Sequence, residues 1–151
     1  MKIAHIGMKK FLAMGVVAAM CSLAVAVPAF ADEGISTYNT ADTPFYFNLN
    51  SSTTSATEYR AKDDSSSTYV HAQSLGSPCQ LFVDGPGGVN CTTNGRAYLN
   101  YRGEFQIYQT VYESGYRSAR LSGWRSGSGT IASGVWSPDS WGSYPIINAG
   151  Y

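Results

Sequence analysis

Downstream of Pro44, apolar and polar residues alternate. Phe45, Phe47 and Leu49 fall on one face of an extended segment, and Tyr46, Asn48 and Asn50 on the other. A period of two marks a half-buried strand, because successive side chains of an extended backbone point to opposite sides. Similar short segments follow at 68–73, 79–84, 96–101, 104–113, 116–124 and 130–136, with a further short one around Tyr59. Turn-forming residues punctuate them at 51–57, 63–67, Gly76-Ser77-Pro78, Asn94-Gly95, Ser114-Gly115 and Gly127-Ser128-Gly129. No stretch after residue 31 keeps the 3.6-residue apolar period of a helix. About seven short strands at this spacing predict an all-β fold, a small antiparallel β-sandwich. The pattern places it at 44–151 as one domain, preceded by a polar, flexible arm at 32–43.

Parity along the strands predicts which side chains face the core. Phe105, Ile107 and Val111 share the odd face of one segment, interrupted by Gln109, and Ala119 and Leu121 share the odd face of the next. The two segments read as a hairpin, and their apolar faces coincide only with an odd-length loop such as Ser114-Gly115-Tyr116, which is the loop expected. That register sets Val111 opposite Ala119 and Glu113 opposite Arg117, and turns Tyr108 and Tyr112 outward. Cys79, Leu81 and Val83 also share one parity.

The N-terminal segment reads differently. Lys2, Lys9 and Lys10 precede an almost wholly apolar run from Phe11 to Val27, then Pro28, the small-residue site Ala29-Phe30-Ala31 and the acidic pair Asp32-Glu33. This is the layout of a secretory signal peptide over 1–31, cleaved after Ala31. As a membrane anchor the run is at the lower limit of about 17–25 residues, and no second apolar span follows it. A start at Met8 leaves this layout unchanged, and Cys21 is removed with the signal.

Export changes the remaining composition. Seven basic residues, of which Lys62 is the single lysine, stand against ten acidic ones after residue 31, a net charge of −3 with His71 neutral. A mildly acidic domain with scattered basic residues argues against nucleic acid as a partner. Cys79 and Cys91 are the two cysteines left, and an even count in an exported chain predicts a disulfide between them.

Candidate chemistry is thin. His71 is the one histidine after residue 31, and Gly127-Ser128-Gly129 does not form a nucleophile elbow. Glu104 and Glu113 have opposite parity, so they do not pair as glycosidase carboxylates. Asp63, Asp64 and Asp84 match no repeated calcium loop. No catalytic residue, cofactor or metal is expected. The distinctive feature is aromatic: eleven tyrosines and three tryptophans, Trp124, Trp136 and Trp141, all after residue 31. Exposed rings can stack on sugars or anchor a protein partner, and Tyr108, Tyr112 and Trp141 are the candidate ligand-contact aromatics. Trp141 and Tyr144 lie in a glycine-containing tail with Ile146 and Ile147, readable as a last edge strand or as an exposed sticky patch.

Several pieces carry a resemblance: Pro44-Phe45-Tyr46-Phe47, the run from Glu58 to Ser66, Tyr69-Val70, and Ser133-Gly134-Val135-Trp136-Ser137-Pro138-Asp139-Ser140. Together they resemble a family of small uncharacterised secreted proteins of Gram-positive bacteria, a domain of unknown function. That resemblance implies export and a compact β domain, without an activity. In size, signal and a late Gly-x-Trp the chain is also loosely similar to lactococcin-like bacteriocins, which are shorter and lack a comparable cysteine loop. The expectation is a small, secreted, non-catalytic domain acting by binding at the cell surface or in the medium. Its candidate partners are a cell-wall glycan, an envelope component or a surface protein. The alternatives are a bacteriocin-like antibacterial protein and a small hydrolase of cell-wall material.

Overall fold

The computed structural model describes residues 39–149. The signal segment, its cleavage after Ala31 and residues 32–38 of the arm lie outside the described residues. Among the described residues, ten strands form two antiparallel sheets. The first contains β1 (Thr43–Asn48), β10 (Ile131–Ser137), β4 (Thr68–Leu75) and β8 (Gly103–Ile107), in that order. The second is built on β9 (Ser118–Arg125) and β5 (Cys79–Gly85). Its edges are broken. β2 (Ser55–Ala56) and β3 (Arg60–Ala61) pair in turn with β9, and β6 (Val89–Asn90) and β7 (Ala97–Leu99) pair with β5. Short, interrupted edges offer little unpaired backbone to a second sheet.

The alternation read from the sequence becomes the core. Phe45, Phe47, Val70, Ala72, Phe105, Ile107, Ala132 and Trp136 face inward from the first sheet. Cys79, Leu81, Val83, Ala97, Leu99, Ala119 and Leu121 meet them from the second. Two glycines let the layers close. A side chain on Gly123 would come within 2.6 Å of the Phe47 ring, so the aromatic rests directly on the opposite sheet. At Gly134, where the register between β10 and β4 shifts, a Cβ would strike the His71 carbonyl oxygen.

The hairpin between 104–113 and 116–124 does not form. β8 ends at Ile107 and pairs with β4, whereas β9 pairs with β5 in the other layer. Val111 therefore faces neither Ala119 nor Ser118 across a ladder. The intervening chain arches between sheets and turns tightly, with Tyr116 N–H donating to the Val111 carbonyl at 3.0 Å. Buried Gln109 supports the arch, donating to Ser66 O at 2.8 Å and accepting from Val111 N–H at 2.7 Å. The inward parity survives, since Phe105, Ile107, Val111, Ala119 and Leu121 are all buried. They reach one core from opposite layers.

The disulfide is also corrected: Cys79 and Cys91 are both free and buried. Cys79 opens β5, while Cys91 N–H bonds Val83 O at 2.9 Å, four residues farther along the same strand. At about 3.3 Å per residue that separates them by about 13 Å, beyond the Cα spacing of about 4.4–6.8 Å that a bridge requires. The glycine-rich loop is closed instead by a hairpin with Gly85 opposite Val89. Burial pushes the Cys79 thiol up to about 11 and raises Cys91 as well.

The part of the arm within the described residues, 39–43, is held by the fold rather than left flexible. Thr43 already belongs to β1, and Asn39 is fixed by four hydrogen bonds. Its N–H donates to Asp139 Oδ2 at 2.8 Å, its side chain bonds Ala61 O and Arg60, and its carbonyl accepts from Asp139 N–H.

Candidate functional site

Beyond β10 the chain is pinned twice. Asp139 and Ser140 turn inward, and Ser140 N–H donates to Ser66 Oγ at 3.0 Å. Farther on, the tail runs parallel to the edge of β8: Gln106 N–H donates to Pro145 O at 2.9 Å and Ile147 N–H to Gln106 O at 3.1 Å. Tyr98 N–H of β7 then donates to Ile147 O at 3.3 Å, so one tail segment bonds both sheets. Asn148 locks it, accepting from Tyr108 N–H at 2.8 Å and donating to Tyr108 O and Thr93 O. The tail is a lace across the sandwich edge, and Ile146 and Ile147 are half-covered.

Between the two pins Trp141 projects, while the Gln106 side chain holds the Gly142 carbonyl at 2.7 Å. Trp141 is 84% exposed, the most exposed large apolar residue described. Tyr144 folds back onto Tyr69 of β4, ring centroids 4.9 Å apart. Gly142 allows this turn, since a Cβ there would lie 2.6 Å from the Tyr144 ring. Trp141 and these tyrosines line a cleft of about 130 Å³, whose remaining wall carries Thr40, Asp42, Ser137, Asp139 and Ser140. The Tyr69 hydroxyl donates to Glu104 at 2.7 Å. Burial first, and then that hydrogen bond, raise the Tyr69 phenol well above its ordinary range. It stays protonated. The cleft combines aromatic faces, a carboxylate and hydroxyl-bearing side chains, a set able to hold a small polar ligand that has an apolar face.

Of the three aromatics singled out from the sequence, only Trp141 lies at this cleft. Tyr108 is 43% exposed, but its backbone is occupied by the Asn148 clasp. Tyr112 is half-buried, with the Arg117 guanidinium 4.0 Å from its ring centroid. Sequence reasoning missed Tyr69, Tyr144 and Asp42 as neighbours. Tyr69 sits in a strand pattern that marks it as a sheet residue, and nothing local announces that a segment from the other end of the domain will cover it.

The other candidates disperse. His71 lies half-buried on β4, between Val135 and Glu104 on the neighbouring strands. Glu104 is exposed on β8 and Glu113 in the arch. Asp84 is held on the second sheet by Ser122 Oγ at 2.5 Å and Arg120 Nε at 3.3 Å. Among the described residues, no group of three His, Cys, Asp or Glu side chains is placed to hold a metal ion. No helix among them is long and apolar enough to cross a membrane.

Beside the cleft, the loops carrying the resemblance converge on one polar joint. Lys62 and Asp139 are ion-paired, both side chains fully buried. Asp139 Oδ2 accepts the N–H groups of Asn39 at 2.8 Å and Asp63 at 3.0 Å. Arg60 donates to Trp136 O at 3.1 Å and lies over the Trp136 ring, 5.6 Å from its centroid. Burial lowers Arg60 from its ordinary value, opposed by the charges of Asp42 and Asp139.

No curated protein and no solved structure matches this chain. A family model described as "Protein of unknown function (DUF2712)" matches residues 27–140, which include the strands of both sheets and the Lys62–Asp139 joint, and the chain belongs to that family.

Proposed function

We propose that the chain is exported and works without catalysis, binding a neutral glycan at the cell surface or in the medium through the cleft beside Trp141. The observation that carries this reading is the position of Trp141: a large ring, 84% exposed, at the lip of a polar cleft. Leaving such a ring in water forgoes the burial of most of its apolar area, and sugars offer the flat C–H face that recovers it. The cleft, at about 130 Å³, is well below the roughly 300–1,000 Å³ of pockets for drug-sized molecules. One sugar ring or its edge matches it better than a larger cofactor. Asp42 and the Thr40 hydroxyl supply acceptors and a donor for sugar hydroxyls. The net charge of −3 after residue 31 favours a neutral glycan over a polyanion.

The test is retention on insoluble peptidoglycan and neutral polysaccharides, read beside tryptophan fluorescence. Trp136 is fully buried, so a ligand stacking on Trp141 shifts the red part of the emission to the blue. Trp141→Ala should abolish both signals and leave thermal unfolding unchanged. Equal retention of Trp141→Ala and wild type would overturn the reading. No described residue speaks specifically for the antibacterial alternative. Clear zones around purified protein on a lawn of related bacteria, with no glycan retention, would replace the binder with it.

A further inference from the structure

We propose that Lys62 and Asp139 join covalently, the lysine amine and the aspartate carboxyl condensing to an intramolecular isopeptide bond. The evidence is the joint itself, which shares Asp139 with the cleft wall but does not rest on the glycan reading. Lys62 is the one lysine after residue 31. It is directed inward, fully buried, against a carboxylate that is also fully buried. Lysine is among the side chains least often buried completely, and an ordinary ion pair forms as readily at the surface. A second carboxylate adjoins them: Asp64 Oδ1 lies 3.6 Å from Lys62 Nζ. Its second oxygen, Oδ2, is buried without any hydrogen-bond partner. An unpartnered buried carboxylate oxygen is costly for stability, and its cost is explained if the group has protons to move.

The chemistry balances without a co-reactant. The hydrogen bond from Lys62 Nζ to Asp139 Oδ1 is the path by which one proton passes from ammonium to carboxylate, leaving a neutral amine and a neutral acid. The nitrogen lone pair then adds to Asp139 Cγ. Negative charge develops on Oδ2, where the N–H groups of Asn39 and Asp63 already point at 2.8 and 3.0 Å. Two backbone donors on the oxygen that gains charge are the arrangement of an oxyanion hole. Asp64 accepts a proton from the nitrogen and returns it to Oδ1. The C–O bond breaks, water leaves, and the amide N–H remains. One C–N bond forms, one C–O bond breaks, and nothing is oxidised or reduced. Lys62 and Asp139 are shielded from the water that would drive hydrolysis, both fully buried, while Asp64 keeps 25% of its side-chain surface exposed.

The joint is well placed for such a link. It ties the loop after β3 to the loop after β10, 77 residues apart, in a domain whose two cysteines stay unbridged. The cross-link would hold the outermost segments of the sandwich without requiring an oxidant.

Mass spectrometry of the purified full chain decides the matter. Proteolytic digestion should yield a branched peptide joining the segments around Lys62 and Asp139, lighter by one water than the sum of its parts. Unlinked peptides of full mass overturn the proposal, as does a water loss that fragmentation places elsewhere, such as an aspartyl succinimide. Variants assign the roles. Lys62→Arg and Asp64→Asn should both give full-mass, unlinked peptides. Asp139→Asn should still link, now losing ammonia instead of water. An Asp64→Asn protein that links as completely as wild type would overturn the proton-relay mechanism.

Discussion

Asp84 and Asp139 are both buried aspartates facing a cation, yet their surroundings differ in reach. Asp84 on β5 is directly opposite Arg120 on β9 in the ladder register, with Ser122 next to it on the same strand. All three residues belong to one strand pair, and the Arg120 side chain keeps 29% of its surface in water. Asp139 instead gathers Lys62, Asn39 and Asp63, from 76 to 100 residues away in sequence, and neither charged side chain touches solvent. The first pair decorates a sheet that would form without it. The second fixes how three loops meet, in low dielectric where leaving one charge alone is expensive.

The largest difference between them should appear on truncation. Lys62→Met leaves the Asp139 charge buried with only two amide donors, which should cost about 3–5 kcal/mol by urea unfolding. Loss of the covalent link would add to that figure. The double variant Lys62→Met/Asp139→Leu removes both charges and should recover part of the loss. It cannot recover all, because Asn39 and Asp63 N–H then lack an acceptor, at about 1–3 kcal/mol for each buried donor left unpaired. A Lys62→Met protein as stable as wild type would erase the distinction between the two aspartates.

This contrast also explains what could be read from the sequence. Alternation of period two placed β1, β4, β5, β9 and β10 and the faces they bury, because that signal is local to each strand. Lys62 and Asp139 lay in pieces recognised only by resemblance, and nothing in Ala61-Lys62-Asp63 marks its lysine as buried. The failed hairpin and the failed disulfide have the same origin. Both inferences joined segments by nearness in sequence, whereas the chain crosses between layers after Ile107 and runs extended between Cys79 and Val83. Trp141 was identifiable as a candidate aromatic in the tail it shares with Tyr144. Its cleft was not, since Thr40, Tyr69 and Tyr144 come from three distant segments.

The thiols offer the next effect, on the Asp84 side of the molecule. Cys79 titrates at about 11 against an ordinary 9.0, raised by burial. The folded state therefore holds its proton more tightly than the unfolded chain. Its contribution to stability is complete below about pH 9 and declines as pH rises toward 11. Cys91 shifts in the same direction through burial, and the Asp84 charge adds to it. Unfolding midpoints should fall across this window, and Cys79→Ala/Cys91→Ala should flatten the slope. At neutral pH neither thiol should react with a disulfide reagent until the protein unfolds, when Cys79 and Cys91 become titratable. A native chain that shows none even after unfolding would restore the bridge.

A neutral long-range clasp separates reach from charge. Asn148 bonds Tyr108 N–H, Tyr108 O and Thr93 O with a single amide. Asn148→Ala should cost about 1–3 kcal/mol and free the tail for proteolysis, without the larger penalty of an unpaired charge. If its cost equals that of Lys62→Met, distance in sequence rather than buried charge is what distinguishes Asp139 from Asp84.

Arg120→Ala should have the smallest effect. Asp84 retains the Ser122 hydroxyl at 2.5 Å, and water can take the place of a guanidinium already partly exposed. Loss of the ion pair accounts for about 1 kcal/mol at most. Arg120 also lies 5.0 Å from the Tyr59 ring centroid, a contact of about 0.5–1 kcal/mol at exposed sites. The two contributions have different salt dependence from the buried joint, since ions screen charges that water reaches and have little access to those it does not. In 0.5 M salt (a Debye length between the roughly 10 Å at 0.1 M and 3 Å at 1 M), the Arg120→Ala penalty should shrink while the Lys62→Met penalty persists. Equal salt sensitivity would mean that solvent reaches Lys62 in solution, and the chemistry assigned to that joint would lose the dry surroundings it depends on.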